Sequence, residues 1–452
     1  MYVAVLIALL ALCRAAVIRR DDSFFTPDEG WEDKKPGDIL RWRSIEAKFL
    51  EQDFKVAEAY QVLYRTTHNR AEEASHTVTT ILVPYNAKKD ALVVGSAAQD
   101  ANAQQCTPSA SLTYNSGHNA VFMVDEYNFM QFMREGYVMT IPDKEGPRNA
   151  FAAGLMEGHM LLDGIRAALN FGKIGLEKDA RVAVFGYSGG AITAGWAAQL
   201  KGAYADEVNV VGWALGGTPV DLKSTIDKVD GTAFSGLVVG GVTGILDAYP
   251  DIKRNFSKHI TRAGEEAMEF AHHNCVAEVL LKYPFKSIYS KEFQTIGEGV
   301  FRSEGLRQMF EETHMGRKRE VPDAPVYMYH GKHDEIIPYG PARETAEQWC
   351  DNGGRVYFQT YTHIEHGHIV TEITGGEPAF RFLKDRLEGK EYEGGCKFEE
   401  KGTLVFDAHA LGSSAKRILR MLLTVLGKHV GEAKVLRGAL RERERRSGGS
   451  GG

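Results

Sequence analysis

The chain has 452 residues, of which 43% are apolar and 25% charged, enough for one large α/β domain or two smaller ones with a sizeable core. Its formal net charge of −6 gives no general reason to expect nucleic acid as a partner. No internal repeat is visible, and no low-complexity run precedes the terminal Ser-Gly-Gly-Ser-Gly-Gly.

Residues 1–12 are almost wholly apolar and about as long as the apolar core of a secretion signal, too short to span a bilayer. Cys13 and Ala15 stand at small-residue positions for cleavage after Ala15, and Arg19-Arg20 offers a dibasic processing site that would leave Asp21 as the mature start. Residues 1–20 are therefore read as a signal peptide with a short pro-segment, and the protein as secreted. Beyond the signal, four cysteines remain: Cys106, Cys275, Cys350 and Cys396. An even number in an oxidising compartment suggests two disulfides. Three pairings are possible; Cys350 with Cys396 is the local choice and leaves Cys106 with Cys275. Asn255-Phe256-Ser257 is a glycosylation sequon.

Residues 57–65 partly alternate and 77–83 are β-branched, which predicts two strands around a polar, turn-like stretch. Residues 91–95 form a short apolar strand that runs into a loop holding Asp100 and Cys106. A strand over 137–141 ends at Pro142-Asp143. Over 151–171, Leu155, Met156, His159, Leu162, Ile165 and Leu169 recur at helical spacing.

The apolar run Arg181-Val-Ala-Val-Phe then turns at Gly186-Tyr187-Ser188-Gly189-Gly190 and leaves through small residues that can start a helix. This is the G-x-S-x-G nucleophile elbow in its strand–turn–helix setting. A tight turn strains the backbone at the serine, and flanking glycines avoid Cβ clashes and tolerate positive φ. The turn lifts the Ser188 hydroxyl clear of the sheet and aims the N–H of Gly189, at a helix N-terminus, toward a developing oxyanion.

A further strand over 207–215 closes at Gly216-Gly217-Thr218-Pro219. Strands alternating with helices predict βαβ units, a mostly parallel sheet, and catalytic groups at the carboxyl ends of the strands. Between 219 and 325 the rhythm breaks. Residues 231–250 are apolar and glycine-rich, as in a cap inserted over a site, whose apolar face would meet an acyl chain, a lipid surface or only the cap's own core. The α/β pattern resumes with a strand over 325–331, a helix over 340–350, a last strand over 355–361 and a helix over 369–387. Residues 413–446 carry ten Lys/Arg against three Asp/Glu, with Ile418, Leu419, Leu422, Leu423 and Leu426 on one helical face. That pattern suits a solvated tail helix or one lying on an anionic membrane.

A serine hydroxyl needs a histidine to take its proton and a carboxylate to orient that histidine. In this arrangement the chain order is Ser, Asp or Glu, His. Asp334, just after a strand, is the preferred carboxylate, with Glu335 its rival. His363, His366 and His368 compete for the base, and His368, at the mouth of the last helix, is best spaced. The second oxyanion donor belongs in the loop after Gly95, where Asp100 is the best-placed polar residue. No H-E-x-x-H or spaced Cys/His set occurs, so no metal or organic cofactor is expected.

Several motifs together resemble one family. They are Gln99-Asp100-Ala101 with Cys106-Thr-Pro-Ser109; Asp143-Lys-Glu-Gly146; Glu157-Gly158 with Leu162-Asp-Gly-Ile-Arg-Ala167; and Gly186-Tyr-Ser-Gly-Gly-Ala191. Later come Val211-Gly212 with Gly216-Gly-Thr-Pro-Val220; Asp334-Glu-Ile-Ile-Pro-Tyr339; and His368 with Thr371-Glu-Ile373. Over residues 21–396 the chain resembles the fungal secretory lipases of the Candida antarctica lipase A type. The resemblance implies an α/β-hydrolase fold with a mostly parallel sheet, its core at 21–220 and 321–397, a lid at 221–320, and an extension at 398–452. It implies Ser188 as nucleophile, Asp334 as orienting acid, His368 as base, and Asp100 and Gly189 as the oxyanion hole. It implies Cys106–Cys275 and Cys350–Cys396 disulfides. The partners it implies are a lipid or ester substrate and a lipid–water interface, with no obligate protein partner. Triacylglycerol hydrolysis is then the expected activity, a metabolite esterase the alternative, and a catalytically silent lipid-binding protein the third reading. The basic segment after Cys396 does not match the family's C-terminal region.

Overall fold

The computed structural model of the chain describes residues 23–402, apart from 50–52, 70–72, 115–118, 120, 318 and 365. The expected signal and processing sites at 1–20 and the basic helix over 413–446 lie outside the described residues.

Among the described residues, ten strands form one sheet. In chain order they are β1 (Ile39–Ser44), β2 (Glu58–Thr67), β3 (Ala74–Val83), β4 (Lys88–Ser96), β5 (Tyr137–Pro142), β6 (Arg181–Tyr187), β7 (Val210–Gly216), β8 (Val326–Gly331), β9 (Val356–Tyr361) and β10 (Lys397–Lys401). Their spatial order is β1-β2-β3-β5-β4-β6-β7-β8-β9-β10. The first three strands and the β3–β5 pair are antiparallel; from β5 to β10 every pair is parallel. β10 runs across the boundary expected at residue 397, so the sheet continues into the segment read as an extension.

The helices are α1 (Pro108–Tyr114), α2 (Phe122–Arg134), α3 (Gly154–Asn170), α4 (Gly189–Tyr204), α5 (Leu222–Val229), α6 (Gly236–Ala248), α7 (Pro250–Phe256), α8 (Arg262–His273), α9 (Val276–Lys282), α10 (Glu304–Glu312), α11 (Tyr339–Asp351) and α12 (His368–Leu387). α3, α4 and α11 cover one face of the sheet; α2 and α12 cover the other. The central strands are apolar throughout because both faces are covered. In β6, Val182 and Val184 join the core under α3 and α4, while Ala183, Phe185 and Tyr187 join Phe129, Phe132 and Leu383 on the far side. Strand alternation thus distributes one apolar run between two cores.

α5 to α10 form a mainly helical segment between β7 and β8. It begins where Asp221 caps α5, its carboxylate accepting from the N–H groups of Lys223 and Ser224. The glycines of α6 let it lie against the core: a Cβ on Gly244 would stand 2.2 Å from the Phe151 carbonyl oxygen. The Cys106–Cys275 disulfide ties this segment to the loop after β4, and Cys350–Cys396 ties the end of α11 to the start of β10. Asn255, in α7, is exposed.

Candidate active site

Ser188 stands between the end of β6 and the start of α4 with φ 52° and ψ −122°. A left-handed φ on a residue with a Cβ is sparsely populated and must be held by its surroundings. Ser188 N–H donates to the Gly216 carbonyl, and its own carbonyl accepts from Ala191 and Ile192. The flanking glycines serve space, not a left-handed backbone: the positive φ belongs to the serine. A Cβ on Gly190 would stand 2.0 Å from the Ser96 carbonyl oxygen, and one on Gly189 would stand 1.9 Å from Asp100 Oδ1. The glycine pair lets the loop after β4 close against the first turn of α4.

The Ser188 hydroxyl lies 2.8 Å from His368 Nε2. His368 is the first residue of α12, and its Nδ1 lies 2.7 Å from Asp334 Oδ2. Asp334 Oδ1 accepts the N–H groups of Ile336 and Ile337 at 2.9 and 2.8 Å. Both carboxylate oxygens are thereby committed, and the imidazole has one partner on each nitrogen. Of the three candidate histidines, the fold brings His368 to the serine. His366 is fully buried against Tyr361, and burial, with His363 and Lys401 nearby, pushes it down to about 4.

Glu335 has a different task from Asp334. Its Oε2 accepts the backbone N–H of His368 at 2.9 Å, which satisfies a free donor at the start of α12. Tyr187 donates its hydroxyl to the His368 carbonyl at 2.6 Å. Lys228, on α5, donates to the carbonyls of Asp334 and Ile337, linking the helical segment to the acid loop. His330 Nε2 lies 3.4 Å from Asp334 Oδ2; burial pushes this histidine down to about 4, so it is neutral at pH 7. The contacts of Lys228 and Tyr187 join segments far apart in the chain, so the sequence does not signal them; His330 stands four residues before Asp334, and the fold turns its ring toward that carboxylate.

Burial pushes the Asp334 carboxyl up, but the charge and hydrogen bond of His368, with His330 and the Ile337 N–H, outweigh it and hold Asp334 below the ordinary aspartate value. Burial pushes His368 down, but Asp334, Glu335 and Asp100 outweigh it and hold the imidazole above the ordinary histidine value. The pair therefore favours an imidazolium facing a carboxylate, the state that a general base reaches during attack.

Asp100 lies in the loop after β4 with φ 51°. It is buried, and burial pushes its carboxyl up to about 6. Gly189, the first residue of α4, has an N–H with no acceptor inside the helix by position. Both residues line a cavity of about 60 Å³ together with Ser188. Apart from Thr225, the rest of its wall is apolar, including Phe151, Ile192, Leu222, Ile226, Val238 and Ile337. A serine hydroxyl bonded to a histidine and lining an apolar cavity has the arrangement needed to attack an ester whose acyl chain enters that cavity. No group of three or more His, Cys, Asp or Glu side chains among the described residues could hold a metal ion.

The family model described as "Secretory lipase" matches residues 115–395. The secreted triacylglycerol lipase LIP1 of Malassezia furfur is 55% identical over 426 residues, covering 93% of this chain and 87% of that protein. The secreted triacylglycerol lipase LIP2 of Malassezia globosa is 42% identical over 440 residues, covering 95% of this chain and 96% of that protein. Among solved structures, Candida antarctica lipase A in its closed state superposes with a TM-score of 0.80 at 27% identity, covering 90% of this chain and 96% of that one. A rice cell wall degrading esterase from Xanthomonas oryzae shares the fold at 16% identity and a TM-score of 0.61, covering 79% of this chain and 100% of that one. The fold is that of the α/β-hydrolases.

Proposed function

This chain belongs to the secretory lipase family, and from that premise we propose that it is a secreted lipase hydrolysing triacylglycerols through an acyl-enzyme on Ser188. The observation that carries the reading is the unbroken chain Ser188 Oγ–His368–Asp334, opening on an apolar cavity. Relatives named as secreted triacylglycerol lipases support the substrate class and the secretion.

In this reading His368 Nε2 takes the proton of Ser188 as its oxygen attacks the ester carbonyl. The C=O electron pair moves onto oxygen, where the Gly189 N–H and Asp100 form the oxyanion hole. Collapse breaks the bond to the alcohol, which leaves with the proton from His368. Water then attacks the acyl-serine by the same route, releasing the fatty acid and restoring the hydroxyl. Asp334 keeps the imidazole in the tautomer that leaves Nε2 free to accept. The helical segment over 221–320 acts as the lid, with α5 and α6 supplying apolar wall to the cavity. Residues 1–20 serve as the export signal, and Asn255 is available for glycosylation.

The test is hydrolysis of an emulsified long-chain triacylglycerol and of a soluble short-chain ester by wild type and Ser188→Ala. Activity on the emulsion that is lost in the variant is expected. Serine-dependent activity on the soluble ester alone would assign an esterase of small molecules instead, and undiminished hydrolysis by Ser188→Ala would refute the acyl-enzyme.

A further inference from the structure

The acyl-transfer steps leave unused a set of charged side chains buried beneath the oxyanion side of the site. Lys144 is 1% exposed, and its Nζ lies 3.1 Å from Glu145 Oε1 and 3.1 Å from Glu157 Oε2. Glu157, on α3, also accepts the hydroxyl of Thr193, which stands one turn beyond Gly189 in α4. Asp100 Oδ1, Glu145 Oε2 and Glu157 Oε1 are buried and accept no hydrogen bond from the protein. One lysine faces three buried carboxyl groups. Burying an unpaired carboxylate is expensive, so the cluster favours keeping at least one carboxyl protonated.

We propose that Lys144 and Glu157 are positioning residues of the oxyanion hole, Glu157 bracing the first turn of α4 through Thr193 and the Lys144–Glu157 pair setting whether Asp100 carries the proton it offers to the oxyanion. The inference rests on the acyl-transfer reading above. Protonated Asp100 donates a hydrogen bond to the oxyanion; ionised, its carboxylate repels it. The proton stays on Asp100, so the atoms of the hydrolytic cycle are unchanged.

The groups that face Asp100 come from every side. Lys144, Glu145 and Glu157 lie on the side of the loop after β5 and α3, Asp125 on α2, and His368 and Glu372 on α12. Lys144 and His368 favour the ionised carboxylate; the carboxylates favour the protonated form. Burial of Asp100, which raises it to about 6, works in the same direction as the carboxylates. Neutralising Glu157 therefore lets Asp100 lose its proton at lower pH, and neutralising Lys144 delays that loss.

The test is the pH dependence of kcat/KM for a soluble p-nitrophenyl ester. Asp100→Asn carries an amide N–H at every pH and is expected to lose the alkaline limb. Because His368 is held above 6.5 and Asp100 near 6, the acid limb of wild type follows Asp100; Glu157→Gln is expected to move that acid limb down by about one pH unit, and Lys144→Met to move it up. Thr193→Val removes the brace without changing charge, and is expected to lower kcat while the limb stays in place. An alkaline limb that survives in Asp100→Asn, or an acid limb that fails to move down in Glu157→Gln, overturns the proposal. If Lys144→Met does not fold, the other two charge variants decide alone. Full activity in Asp100→Ala also overturns the proposal, whereas full activity in Ser188→Ala would refute the acyl-transfer reading, so the two failures are distinguishable.

Discussion

Replacing Asp334 with asparagine separates orientation from charge in the acid–histidine pair. Asp334 Oδ1 accepts two backbone N–H groups, from Ile336 and Ile337, at 2.9 and 2.8 Å. In Asp334→Asn only the amide oxygen can accept those bonds, so the amide nitrogen must take the place of Oδ2, 2.7 Å from His368 Nδ1. An amide nitrogen donates. Nδ1 must then accept, and the proton of neutral imidazole moves to Nε2. That nitrogen faces the Ser188 hydroxyl at 2.8 Å and can no longer take its proton. A forced wrong tautomer of this kind lowers kcat by about 10⁴, or about 5.5 kcal/mol of barrier. The assay is initial-rate hydrolysis of a soluble p-nitrophenyl ester, with thermal melting to confirm that the variant is folded. Glu335→Gln is the control: its oxygen bonds the His368 backbone and not the ring, so a loss of tenfold or less is expected. A folded Asp334→Asn that loses less than tenfold, or a Glu335→Gln that loses as much as Asp334→Asn, would refute the reasoning.

The base must be neutral to act, and its neighbours hold His368 above the ordinary histidine value. In Asp100→Asn, where the oxyanion donor no longer titrates, activity should therefore fall as pH drops through a midpoint above about 6.5, read from kcat/KM against pH; a midpoint below that value contradicts the assigned carboxylate partners. Gly190→Ala places a Cβ 2.0 Å from a backbone oxygen of Ser96, which has no flexible end to move. A loss of about 1–3 kcal/mol or more in stability is expected, measured by denaturant unfolding, and unchanged stability would show that the β4 loop is looser than its packing implies. Val238 lines the cavity and is itself buried. Val238→Phe should shorten the accepted acyl chain, seen as a fall in kcat/KM for long-chain esters with short-chain esters retained; equal losses across chain lengths would place the acyl chain elsewhere.

Much of this protein was legible along the chain because its decisive signals are local. The elbow needs an apolar strand, a turn of small residues and a helix start, all within residues 181–196. The parallel core strands are covered on both faces, so they stand out as apolar runs. Edge strands do not: β1 and β10 carry Arg41, Arg43, Glu399 and Glu400 and are only partly buried, so their sequences predict no strand. α2 is equally silent, because it is buried nearly all round and shows no polar face, even burying Asp125 and Glu126.

Only the tertiary structure decided the rest. Three histidines within six residues offer the same chemistry, and the selection of His368 depends on where α12 starts relative to β6 and β8. The left-handed backbone of Asp100 and the hydrogen bond from the Ser96 hydroxyl to the Gly190 carbonyl, which joins the loop after β4 to the elbow, have no counterpart in either segment's sequence. The segment 143–146 stands out as a motif, but that Lys144 is buried between Glu145 and Glu157 depends on the packing of α3 beside the loop after β5. A spacing motif records which neighbours a residue has along the chain; burial and charge balance depend on neighbours across it.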